Sequence, residues 1–181
     1  MNTLSNTREN FINTTRKAFR SFRRRDIAAR IDRNIVHKYK DENVFIGDVR
    51  KTAENTFECE MVFDDEHKFF FEHRIDHVPG LLMLEAARQM GTAICHLFYD
   101  VDYNYSFIID FSNISFKNFT ELNKKITVRT VIEADVRKKN RKIFSGKSFV
   151  IQDDVVIAEV ESTWRCLHKK LWDKLRAHKG E

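Results

Sequence analysis

The sequence predicts an α+β fold, an antiparallel sheet wrapped around a long central helix, with accessory helices at the N- and C-terminal ends. Three observations carry this. Residues 79–98 are apolar around most of a helical circumference, and such a helix has to be enclosed. The segments flanking it alternate apolar and polar residues, the period of half-buried strands. Both ends of the chain lose that alternation and are rich in basic residues.

The first segment, up to about Arg33, reads as helix: Phe11, Ala18, Phe19 and Phe22 fall on one side and Arg16, Lys17, Arg20, Arg23, Arg24 and Arg25 supply charge. Asp26 is positioned to cap a further turn from Ile27 to Ile31, and the Phe stripe is short enough for packing on the domain rather than a membrane surface. Val44–Arg50 and Phe57–Phe63 then read as paired strands, with Phe57, Cys59, Met61 and Phe63 on one face. The central helix starts at the only proline, Pro79, a residue suited to a first helical position. After it, the alternation between Phe107–Phe111 and Ile114–Phe116 slips by one, which predicts a bulge at Ser112 and Asn113. Residues 126, 128, 130, 132 and 134 alternate inward, as do 156 to 166 in steps of two. A short basic helix closes the chain. The expected division is 1–34 as a basic helical extension, 35–168 as the domain body and 169–181 as a basic C-terminal helix.

With 181 residues, 42% apolar and 33% charged, the chain fits one globular domain. No apolar run approaches the ~18 residues of a membrane helix. MNTLSNTREN lacks the apolar stretch of a secretory leader, so a cytoplasmic protein is expected. Cys59, Cys95 and Cys166 are odd in number and without metal spacing, which reads as buried thiols. Residues 8–33 carry nine basic and three acidic groups, residues 165–179 six and one, and residues 34–164 seventeen and 22. The positive charge belongs to the ends. That argues against nucleic-acid binding by the whole fold and for docking of an acidic partner.

On the central helix, Glu85, Arg88, Gln89, Thr92 and His96 fall within an arc of about 100°. A polar stripe on a buried helix marks a candidate site. The run His73 to Gln89, HRIDHVPGLLMLEAARQ, resembles the signature of the A-factor biosynthesis hotdog domain family. Ile35 to Lys38 resembles that family's opening strand, and His67 to Phe71, then His96 to Val101, resemble its flanks. The resemblance implies a hotdog fold and transfer of a β-ketoacyl group from acyl carrier protein to the hydroxyl of a dihydroxyacetone phosphate-like acceptor. The best-known members carry two hotdog repeats in tandem, and room for one here implies a homodimer. The helix start also resembles, more distantly, that of β-hydroxyacyl carrier-protein dehydratases, whose catalytic glutamate falls on Glu85; His73 and His77 lie near their histidine but out of register.

Acyl transfer needs a base for the attacking hydroxyl and donors for the oxyanion. Glu85, Arg88 and His77 are the candidate catalytic residues. Desolvation is expected to raise the pKa of Glu85, while Arg88 can bind a phosphate or carboxylate bidentately or else hold Glu85 ionised. Asp76, Gly80, Leu81, Gln89 and His73 are the candidate substrate-binding residues, Gly80 and Leu81 through helix-start N–H groups. The plainer readings are an i,i+3 salt bridge for Glu85 and Arg88 and a helix cap for Asp76. His37, His67, His168 and His178 read as structural. No metal and no cofactor is expected. The alternatives to transfer are dehydration or hydrolysis of the same thioester, or acyl binding without catalysis.

Overall fold

A computed structural model describes residues 29–177. One antiparallel sheet of six strands curves around a single long helix. The elements are β1 (Arg50–Ala53), β2 (Thr56–Glu60), α1 (Gly80–Phe98), β3 (Tyr105–Phe116), β4 (Thr127–Lys138), β5 (Arg141–Gln152), β6 (Val155–His168) and α2 (Lys169–Ala177). The strand order is β1-β2-β4-β5-β6-β3. That is the hotdog arrangement the patterning predicts.

The inward faces follow the alternation. Phe57, Cys59 and Met61 are buried, as are Val128, Thr130 and Ile132 on β4 and Ala158, Val160, Trp164 and Cys166 on β6. Burial of such rows at about 25 cal/mol per Å² of apolar surface is what holds helix to sheet. Strands β3 and β4 depart from strict alternation. The β3 bulge lies between Ile109 and Phe111 rather than at Ser112–Asn113; the extra residue, Asp110, receives Arg165 Nη2 at 2.6 Å. A second shift between Ile132 and Ala134 turns Ala134 outward. Three hairpins, β1–β2, β4–β5 and β5–β6, are closed by two-residue turns, and that between β5 and β6 places Asp153 and Asp154 at φ 51° and 61°, the mirror-image turn that matches strand twist.

The N-terminal portion differs from expectation. Residues 1–28, with the basic helix read there and its Phe stripe, lie outside the described residues. Where the described chain begins it is extended, not helical: Arg30 bridges Gly47, and the Ile31 N–H donates to Ile46 O at 3.0 Å. Ile31 is buried in the core, so the body begins earlier than the boundary expected at 35. Ile35 to Lys38 is a turn rather than an opening strand, closed by Lys38 N–H to Arg33 O at 2.9 Å, with His37 at φ 56°. The strand read at 44–50 is paired only at bridges until Arg50.

Pro79 is the N-cap of α1, with ψ 137°, rather than its first helical residue. Asp76 caps nothing, since no side chain caps this helix. A Cβ at Gly80 would stand 2.4 Å from Phe116 Cζ, so the exposed Phe116 ring would have to swing away. Leu82, Met83, Ala86, Ala87, Met90, Ala93, Ile94 and Cys95 are buried against the sheet. Leu81 is exposed. The three cysteines are buried and free. Among the described residues no helix is long and apolar enough to cross a membrane.

Candidate active site

A cavity of about 750 Å³ lies between α1 and the concave face of the sheet. Its helix side is Leu81, Leu84, Glu85, Ala87, Arg88, Gly91 and Thr92. The i,i+3,i+4 spacing predicts such a grouping on one face. The sheet supplies Phe107, Ile109, Trp164 and a set of small residues. The segment before β1 contributes Lys38, Asn43 and Phe45.

The charged centre is Glu85. Its Oε1 accepts from Lys38 Nζ at 2.7 Å, Arg88 Nη2 at 2.8 Å and Gln89 Nε2 at 2.9 Å, and its Oε2 accepts from Arg88 Nε at 2.7 Å. The side chains of Lys38, Glu85 and Arg88 are 25%, 20% and 29% exposed, so solvent reaches the cluster. Burial alone pushes the Glu85 carboxyl up, as expected from sequence. The bidentate Arg88 guanidinium, then Gln89 and Lys38, outweigh it and hold the group at about 2. The expectation of a raised pKa is therefore corrected: Glu85 is a well-stabilised carboxylate. Two cations against one anion leave the cluster positive.

Gln89 is fully buried and spends its amide on the chain. Its Oε1 accepts from the Phe45 N–H at 2.9 Å and its Nε2 donates to Asn43 O at 2.8 Å as well as to Glu85. It pins the 41–45 segment to α1 and does not line the cavity. His77 and Asp76 pair with each other, Nδ1 to Oδ1 at 2.9 Å, at the surface beyond the cavity lining. The Asp76 carboxyl is lowered by that bond. His73 is exposed and Gly80 faces Phe116; neither lines the cavity. Of the candidate catalytic and substrate-binding residues, the cavity brings together Glu85, Arg88 and Leu81, and it adds Thr92 of the polar stripe.

Three groups escaped the sequence reading. Lys38 sits in a turn with no period to betray it. His67, read as structural, lines the cavity and its Nε2 meets Asn43 Oδ1 at 2.9 Å. His37 and His96 meet Nε2 to Nε2 at 2.9 Å against Phe107 and Tyr103. His96 Nδ1 faces the Val101 carbonyl, which can only accept. That fixes Nε2 of His96 as acceptor and Nε2–H of His37 as donor. Burial first, then His96 and Arg88, lowers the pKa of His37; burial lowers that of His96 against the pull of Val101 and Asp102.

The model of the A-factor biosynthesis hotdog domain matches residues 21–168. The chain belongs to this family. Over 46 residues it is 39% identical to 2-oxo-3-(phosphooxy)propyl 3-oxoalkanoate synthase of Streptomyces virginiae, a match spanning 25% of this chain and 16% of that protein. Solved structures agree on the fold. A conserved protein of Pseudomonas aeruginosa superposes with TM-score 0.52 at 13% identity, over 76% of this chain and 100% of its own. Zebra fish thioesterase superfamily member 2 gives 0.52 at 14%, over 75% and 91%. A Haemophilus influenzae thioesterase gives 0.50 at 11%, over 67% and 78%.

Proposed function

We propose that this A-factor-type hotdog domain transfers a β-ketoacyl group from an acyl carrier protein thioester to the hydroxyl of a small phosphorylated acceptor. The acyl chain would lie in the cavity between α1 and the sheet. The observation that carries the reading is the Lys38–Glu85–Arg88 cluster in the wall of the cavity. The partial match to a synthase named for a phosphooxypropyl 3-oxoalkanoate product supports the same substrate pair.

In this reading the acceptor phosphate takes up Lys38 and Arg88, whose charge and donor geometry suit it. Glu85 is thereby released from its strongest partners. Gln89 remains its donor, and burial, now opposed by that bond alone, raises its basicity. It then takes the proton of the acceptor hydroxyl as that oxygen attacks the thioester carbonyl carbon. A carbon–oxygen bond forms, the carbon–sulfur bond breaks, and the proton passes to the departing thiolate. The acceptor thus switches on the base that activates it.

Two substitutions test this. Glu85→Gln removes the base at nearly constant volume and should lower turnover by about 10²-fold or more. Lys38→Met should raise KM for a phosphorylated acceptor about tenfold while leaving that for an unphosphorylated analogue almost unchanged. Full activity in Glu85→Gln reduces the cluster to a structural ion pair, and equal KM effects on both acceptors remove the phosphate from Lys38.

A further inference from the structure

Midway along the sheet, the inward positions carry small and hydroxylated residues along one diagonal. Thr130 of β4 stands opposite Ser148 of β5. One step along, Gly146 of β5 stands opposite Ser162 of β6, and Ser162 opposite Ser112 of β3. All five line the cavity. They run from a buried end, where Thr130 is 2% and Ser148 7% exposed, to an exposed edge at Ser112. The neighbouring rows are Phe144 with Trp164 on one side and Val128, Val150 and Ala158 on the other. Hydroxyls and a glycine thus occupy inward positions that every adjacent row fills with hydrocarbon.

The hydroxyls are not fully used. Thr130 Oγ1 and Ser148 Oγ lie 2.7 Å apart, and Ser112 Oγ and Ser162 Oγ 3.0 Å. Each pair holds two O–H protons and makes one hydrogen bond, so one proton per pair remains to be donated. Among the described residues neither Thr130 nor Ser148 makes another side-chain hydrogen bond. A plain hydrocarbon chain over this diagonal would seal a donor away from water without a partner, which is unfavourable. A chain bearing an oxygen there would accept the proton.

We propose that the diagonal is a specificity subsite. It selects an acyl chain that carries an oxygen acceptor, keto or hydroxyl, over an all-hydrocarbon chain of the same length, and Thr130 and Ser148 are the residues that discriminate. This deepens the acyl-binding part of the function proposed above. It does not depend on which reaction follows.

Equilibrium titration without turnover tests it. The probes are the decanoyl thioester of N-acetylcysteamine and its mono-oxo positional isomers, alongside the same acyl groups on pantetheine. The wild-type chain should bind at least one oxo isomer roughly tenfold more tightly than the decanoyl compound. In the Thr130→Val, Ser148→Ala variant that ratio should fall to about one, with affinity for the decanoyl compound kept or improved. The kept affinity also reports that the variant is folded. Equal affinity for all chains in the wild type, or a ratio that survives in the variant, overturns the subsite. So does a hydroxyl effect that follows pantetheine rather than the chain oxygen. If no acyl thioester binds at all, the acyl-binding reading falls together with the subsite; if all bind equally, only the subsite does.

Discussion

Glu85 is held by four hydrogen bonds from three side chains, and two of these partners, Arg88 and Gln89, lie one turn on along the same helix where periodicity reveals them. The i,i+3 partner Arg88 and the stripe it shares are legible because the rest of α1 is apolar. The sign of the pKa shift follows chiefly from the bidentate grip of Arg88, which outweighs burial, and Lys38 adds to it from a turn with His37 at φ 56°. The consequence for stability has a definite direction. Folding lowers the Glu85 pKa from 4.5 to about 2, so its contribution is present above about pH 4.5 and lost as pH falls towards 2. The shift is worth roughly 3 kcal/mol as an upper figure. The histidine pair acts in a higher window with the same slope: both imidazoles are lowered below 6.5, so stability falls as pH drops through about 6.5. Urea unfolding followed from about pH 7 to pH 3 should show both losses. Glu85→Gln should remove the lower one and keep the upper. Parallel curves for wild type and variant would deny Glu85 this role.

At the scale of elements, period-two alternation located β2, β4 and β6 and the buried face of each, and the apolar circumference located α1. Both signals are local, which is why they survive in a bare sequence. In the segment from Arg30 to Val49 the local signals read as helix up to Arg33 and as strand from Val44, and neither element forms as read. The segment's course is fixed by bonds across the fold, among them Gln89 to Phe45 and Asn43. The β3 bulge was misplaced for a similar reason, as Asp110 is paired with Arg165 of the neighbouring strand. Glycines make the packing testable. A Cβ at Gly146 would stand 2.7 Å from the Val131 carbonyl, a backbone atom with no freedom to yield, while one at Gly91 meets Trp164 at 3.5 Å, an ordinary contact. Gly146→Ala should therefore cost about 1–3 kcal/mol in urea unfolding. Gly91→Ala should be close to neutral, because alanine also favours the helix by up to about 1 kcal/mol. Equal losses at both sites would contradict the β4–β5 geometry.

On the scale of the molecule, charge is segregated: the two ends are basic and the body is mildly acidic. Arg20, Arg23, Arg24 and Arg25 lie outside the described residues. Lys169, Lys170 and Lys174 sit on α2, all with exposed side chains. We propose that these ends steer an acidic acyl carrier protein. With a Debye length of about 10 Å at 0.1 M salt, KM for a carrier-bound substrate should rise with ionic strength, and a small soluble thioester should respond little. Equal responses would assign the basic ends to another task.

The central claim is acceptor-dependent transfer, and consumption of a β-ketoacyl carrier-protein thioester with and without dihydroxyacetone phosphate tests it most directly. The account predicts loss of thioester only when the acceptor is present, with a phosphorylated ester as product by mass spectrometry. Loss at the same rate without the acceptor, releasing the free acid, would contradict it and make the domain a thioesterase.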